Sequence, residues 1–184
     1  MNLLPGPLEN RWVRLEPFGP QVKESVRAAV DLDPEAWSLF ASCALGARFD
    51  PWWEAAEARN AAGSWRSYAV IRRSQAQVIG MTSFMDPSLE HGRVEIGSTF
   101  LHPSARGGET NPAAKRLMLS HAFHGGARRV EIITDARNLR SQAAIRVGSN
   151  PIRVRADLAG LPAGIYIVRV TERERVALTQ VVKR

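Results

Sequence analysis

VEIGSTFLHPSARGGETNPAAKRLMLSHAFHGGARRVEIITDARNLRSQAAIRVG, residues 94–148, decides the fold. It reads strand, glycine-containing loop, helix, strand, helix. VEIGSTFL places apolar residues at Val94, Ile96 and Phe100, as a strand with one packed face does. Arg106-Gly107-Gly108 interrupts it, and the glycines admit the positive φ that a sharp turn needs. Asn111 then reads as a helix cap and Pro112 as the first helical residue, ahead of Leu117, Leu119, Ala122 and Phe123. ARRVEIITD is a second strand, and ARNLRSQAAI opens a second helix. A loop that runs into a helix start presents amide hydrogens with no partner inside the helix, and these attract an anion.

Upstream, RWVRLEP (11–17) alternates as a strand, and Pro20 to Val30 follows with helical spacing at Val22, Val26 and Ala29. Asp33-Pro34 reads as cap and first residue of a short helix through Phe40. Asp50-Pro51 repeats the signal before WWEAAEARNAA, which Gly63 closes. SWRSYAVIRR (64–73) and QVIGMTSFMD (77–86) read as two strands joined at Ser74 to Ala76, and Asp86 to Gly92 as a loop. Downstream, PIRVRADL and GIYIVRVT read as strands around Leu161 to Gly164, with charged and mixed residues beyond. One domain over 1–184 fits, of mixed α/β (α+β) class, with a mostly antiparallel sheet and helices on both faces.

The bulk numbers agree. A chain of 184 residues buries a core without disulfide or metal staples, and a single cysteine, Cys43, forms no internal bridge. Cys43 reads as a small buried hydrophobe. No metal-ligand spacing is found among His91, His102, His121 and His124. The start MNLLPGPLENRWV has no basic region followed by an apolar run, and no apolar stretch reaches the length of a membrane span. A soluble cytoplasmic protein without membrane contact is expected. The net charge of +7 is uneven: residues 1–100 carry 10 basic against 12 acidic residues, and 101–184 carry 15 against 6. A basic second half suits a phosphorylated ligand or RNA. No aromatic-plus-basic recognition motif accompanies the charge, which argues against nucleic acid.

Glu95 is the first candidate for chemistry. A carboxylate on this strand is either exposed by alternation or partly buried, and partial burial strengthens it as a base toward an ammonium group. Arg106 adds a charged donor beside Gly107 and Gly108.

Glu95-Ile96-Gly97 on a strand, Arg106-Gly107 leading into a helix, and Asn138-Leu139-Arg140-Ser141 opening the next helix resemble the GNAT superfamily of acetyl-CoA-dependent N-acetyltransferases. More narrowly, the chain resembles the branch that acetylates the N-terminal alanine of ribosomal proteins, whose pattern RWVRLEPF and Trp52-Trp53 also fit. The resemblance covers about residues 10–148 and implies the following. The strand at Glu95 splays from the strand at Arg129 to Thr134, and the pantetheine arm of acetyl-CoA lies between them, paired with main chain at Thr99, Phe100 and Leu101. The pyrophosphate rests on amides of Arg106, Gly107, Gly108, Glu109, Thr110 and Asn111. Asn138 bonds the arm or steadies its turn. Ser141 donates a proton to the departing thiolate, and Glu95 is the general base. Trp52 or Trp53 faces the acceptor, a protein N-terminus or another primary amine. No covalent enzyme intermediate and no metal are needed, and a homodimer is compatible with the pattern. Three features depart from it: Glu109 stands where relatives usually carry glycine, SNPIRVRADL replaces a Glu-Gly segment after Gly148, and GIYIVRVTERER lacks the usual aromatic-rich ending. They motivate a rival, a catalytically silent acyl-CoA-binding or regulatory protein of the same fold. A basic RNA-associated module is the remaining alternative.

Overall fold

A computed structural model describes residues 1–3, 5–135, 137–145, 164–172 and 175–183. Its strands are β1 (Leu8–Glu9), β2 (Val13–Pro17), β3 (Trp65–Arg72), β4 (Gln77–Ser88), β5 (Arg93–Leu101), β6 (Arg129–Asp135), β7 (Gly164–Glu172) and β8 (Arg175–Lys183). They form one sheet in chain order. Pairing is antiparallel from β1 to β5, parallel for β5–β6 and β6–β7, and antiparallel for β7–β8. The helices are α1 (Pro20–Val30), α2 (Phe49–Ala61), α3 (Thr110–His124) and α4 (Leu139–Ile145). The expected α/β class, with a mixed sheet and helices on both faces, is the observed one.

Two cores flank the sheet. Val22, Val26 and Val30 of α1 and Phe49 and Trp53 of α2 pack with Ala69, Met81 and Phe100 on one face. Ala114, Met118 and Ala122 of α3 pack with Val13, Leu15, Val70, Ile79, Val94, Ile96 and Leu101 on the other. Parallel β5 and β6 require a crossover, and α3 supplies it.

Several local expectations shift. Residues Pro34–Leu39 form a 3-10 segment, and the Asp33 carboxylate pairs with Arg106. Helix α2 begins at Phe49, so Asp50 sits inside its first turn and binds Lys23 and Arg27. Helix α3 begins at Thr110, because Glu109 already has helical angles (φ −69°, ψ −17°) and its carbonyl accepts from the Ala113 amide at 2.8 Å. Asn111 is therefore helical and not a cap, and Pro112 falls where the missing N–H has no intrahelical partner to lose. Strand β4 runs through Asp86 and Pro87 to Ser88, with a pairing irregularity after Met85. Strand β8 is not evident in its charged sequence; its register with β7 is continuous from Gly164↔Lys183 to Glu172↔Arg175. The strand expected at PIRVRADL lies outside the described residues.

Candidate active site

Strand β5 pairs with β6 only at Arg93↔Arg129, Val94↔Val130 and Glu95↔Glu131. Beyond Glu95 the two strands separate, while β6 stays paired to β7 as far as Asp135. The result is a wedge whose walls are residues 96–101 and 132–135.

A bulge in β5 marks where the wedge opens. Two steps along β4, Met81 to Ser83, match three along β5, Phe100 to Gly97. Ser98 absorbs the extra residue with φ +46°, a left-handed conformation that costs a non-glycine residue about 1 kcal/mol. The bulge also resets which face each side chain takes. Ile96 and Leu101 both enter the α3-side core although they are an odd number of residues apart, and Phe100 enters the opposite core. Glu95 alternates away from Val94 and Ile96 and thus lies on the face of α1 and α2. A Cβ on Gly97 would meet Glu95 Oε1 at 2.9 Å and Met85 Sδ at 2.7 Å, so Glu95, Gly97 and Met85 share that face. Glu95 is half-buried.

Each wedge residue named from the sequence has a definite place. Thr99 turns its hydroxyl to the α3 side, where it meets Thr82 Oγ1 at 2.8 Å and Lys115 Nζ at 2.7 Å. Phe100 stacks on Trp37, with ring centroids 5.8 Å apart. The Leu101 carbonyl accepts from Arg106 Nε at 2.8 Å. The main chain at Leu101 is therefore in part occupied within the protein.

Beyond the wedge, the loop reaches α3. Gly107 takes φ +74°. A Cβ added at Gly107 or Gly108 would meet nothing within 4 Å, so the loop stands clear of the protein and an anion can approach its backbone. Glu109 is exposed. The amides that open α3, through Thr110 and Asn111, lie next in line. The Arg106 amide is used otherwise, donating to the Pro103 carbonyl at 3.2 Å. Its guanidinium pairs with Asp33 at 2.6 Å, and Arg140 of α4 reaches the same Asp33 oxygen at 3.5 Å. Asp33 thus ties the segment after β5 to the helix after β6, across the open end of the wedge. Burial pushes the Asp33 carboxyl up, but the Arg106 hydrogen bond and charge, with the Ala36 amide and Arg140, hold it below its ordinary value.

Helix α4 begins where expected. The Asn138 Oδ1 accepts from the Ser141 amide at 2.9 Å, so of the two roles implied for Asn138 the geometry displays the turn-steadying one. Ser141 is half-buried one turn in. Trp53 is 1% exposed and stacks on Phe18 with centroids 4.3 Å apart; it is core and leaves no face for an acceptor. Trp52 is half-buried and lines a cleft of about 330 Å³ with Cys43 and Arg59.

Three features escape a reading of the sequence. Asp33 is distant in sequence from its arginine partners. Lys115 reads as one position of an amphipathic helix. Arg11, Arg72 and Arg73, together with Trp12, line a cleft of about 640 Å³ beside Glu109 and Thr110 at the start of α3. Only the clustering of basic residues at RW and RR near strand ends hints at it. Among the described residues no group of three or more His, Cys, Asp or Glu is placed to hold a metal ion, and no helix is long and apolar enough to cross a membrane.

The comparisons with known proteins agree with this geometry. A crystal structure named as an acetyltransferase is 29% identical, with TM-score 0.66, covering 79% of this chain and 73% of its own. Another so named, from T. thermophilus, is 25% identical with TM-score 0.71, covering 100% and 92%. The ribosomal L7/L12 α-N-protein acetyltransferase RimL, solved with coenzyme A, shares the fold at 15% identity and TM-score 0.67, covering 77% and 81%. At that identity the narrower ribosomal-protein branch is not established. No curated protein matches. The family described as Acetyltransferase (GNAT) domain matches residues 13–147, and the chain belongs to that family.

Proposed function

We propose that this chain transfers an acetyl group from acetyl-CoA to a primary amine, with a peptide N-terminus as the favoured acceptor. The observation that carries the reading is the wedge: six residues of β5 without a strand partner on the β6 side, leading to a loop whose amides open α3. An extended arm ending in a diphosphate fits such a slot. Its edge supplies strand-like hydrogen bonds, and the helix start supplies amides for the charge. Bound there, the group would supply an acyl thioester.

The chain's own residues supply the rest. An ammonium cannot attack a carbonyl, because its lone pair holds a proton. Glu95, on the face of α1 and α2 where the wedge opens, takes that proton, directly or through water. A main-chain N–H of β5 next to the bulge donates to the oxygen on which charge develops. Ser141, in the first turn of α4, the helix that follows β6, gives a proton to the leaving sulfur. Holding both reactants in register accounts for several kcal/mol of the rate. Trp52, half-buried and on the acceptor side, borders the amine's approach. RimL's activity toward a protein N-terminus supports the choice of acceptor by fold alone.

A silent acyl-CoA binder is the second reading, favoured by Glu109 in the loop and by the Asp33 tie on Arg106. Thiol release measured across a panel of free N-terminal peptides, polyamines and small amines separates the two. Acetyl-CoA-dependent release with at least one peptide is expected. Thermal stabilisation by acetyl-CoA with no release from any amine would leave the binder.

A further inference from the structure

Helix α3 sends one charged side chain, Lys115, toward the sheet between β4 and β5. Its Nζ lies 2.7 Å from Thr99 Oγ1 and 3.3 Å from Thr82 Oγ1, and those two hydroxyls are 2.8 Å apart. Met118 Sδ lies 3.4 Å from Thr82 Oγ1. None of these neighbours carries a charge, and Glu95 lies on the opposite face of the sheet.

The hydrogens can be followed. Whether ammonium or amine, Nζ has at least two N–H groups and can donate to both hydroxyls. Thr99 then has its own hydrogen free, and the Gly97 carbonyl lies 3.3 Å away to accept it. That bond spans Ser98, the strained residue of the bulge. A left-handed serine persists only where its surroundings over-determine it, and the chain Lys115–Thr99–Gly97 does so.

Resting on the acetyl-transfer reading above, we propose that Lys115 is a positioning residue for that reaction: acting through Thr99, it holds the β5 bulge in the shape that opens the wedge and aims the neighbouring backbone N–H into it. The cost of placing a lysine there supports this. Burial alone pushes the Lys115 amine down to about 7, and perturbed groups of this kind cluster at functional sites. A methionine would fill the same space without that penalty.

The test compares the native chain with Lys115→Met, Lys115→Arg, Thr99→Val and Thr99→Ser. Lys115→Met leaves the Thr82 and Thr99 hydroxyls to bond each other, so its melting temperature should be equal to or above the native one. Its kcat should fall at least tenfold while the KM for acetyl-CoA changes less than threefold. Thr99→Val should match it, the double variant should be no worse than either, and Thr99→Ser, which restores the hydroxyl, should recover most of the turnover that Thr99→Val loses. Arginine keeps a fixed charge and a wider head, and should not rescue. Amide hydrogen exchange reads the same claim without turnover: exchange at Gly97, Ser98 and Thr99 should be faster in Lys115→Met with no ligand present. Native kcat in Lys115→Met, or unchanged exchange at those three amides, overturns the proposal. Absence of turnover in the native chain would instead count against the acetyl-transfer reading, and the exchange result would still decide the role of Lys115 in the bulge.

Discussion

Gly97 is where one methyl group tests the acceptor face. Both atoms that a Cβ would strike, Met85 Sδ and Glu95 Oε1, are ends of side chains. They can shift, so Gly97→Ala should cost no more than about 1 kcal/mol in urea unfolding, yet it displaces the carboxylate and should lower kcat more than tenfold. Gly80 gives the contrasting case: its φ is +153° and a Cβ there would overlap the Phe100 carbonyl oxygen. Backbone cannot yield as a side chain does, so Gly80→Ala should destabilise by about 3 kcal/mol or more. Glu95→Gln should leave the fold intact and abolish the dependence of turnover on a carboxylate base; an unchanged pH profile would remove Glu95 from its role. Lys115 adds a stability signature. Its folded amine titrates near 7 and an unfolded lysine near 10, so between those values the unfolded chain binds the extra proton and native stability rises with pH. Lys115→Met should therefore gain most over the native chain below pH 7, and the gap should close toward pH 10. Glu95 and Gly107 are legible in the sequence because alternation and loop punctuation are local. Lys115 is not, because helical spacing alone does not tell whether a lysine points to water or between two strands.

The elements meet at Asp33. Its carboxylate joins Arg106, after β5, to Arg140, in α4. Asp33→Asn should loosen that tie and cost about 2 kcal/mol in urea unfolding. Two aspartates give the acid side a predicted shape. Arg27 first and Lys23 second hold the Asp50 carboxyl down to about 2, and Asp33 is also held below its ordinary value. Carboxyls depressed by folding stabilise the chain above the unfolded value, near 4, and lose that contribution as pH falls through the folded one. The melting temperature should thus drop between about pH 4 and about pH 2, and the Asp33→Asn, Asp50→Asn pair should flatten the drop. A melt series across that interval checks it. At this scale most elements are readable: α1 from Val22, Val26 and Ala29, and the β3–β4 hairpin from its alternation. The β5 bulge is not, because VEIGSTFL also fits an unbroken strand and only its register against β4 reveals the extra residue. Strand β8 escapes because RVALTQVVK carries charge and gains its order from pairing with β7.

Across the whole molecule, sheet order, crossover and wedge form one device. The antiparallel strands carry two cores, α3 returns the chain for a parallel neighbour, and that neighbour pairs with β5 only as far as Glu95, before the bulge. The α/β class is readable from residues 94–148 because strand, loop and helix signals follow one another there, whereas the splayed pair is implied only by the resemblance to the GNAT superfamily. The arginine cleft beside Thr110 is not, since β2, β3 and the α3 start meet only in the folded chain. Acetyl-CoA at 100 times its dissociation constant should add about 2.7 kcal/mol of stability, or roughly 5–10 °C for a chain of this size. The most direct measurement is a crystal structure of the native chain with acetyl-CoA. The expected density places the diphosphate on the amides of residues 107–111 and the pantetheine between residues 96–101 and 132–135. A β5 paired with β6 along its whole length, or a ligand seated only in the cleft of Arg11, Arg72 and Arg73, would contradict it.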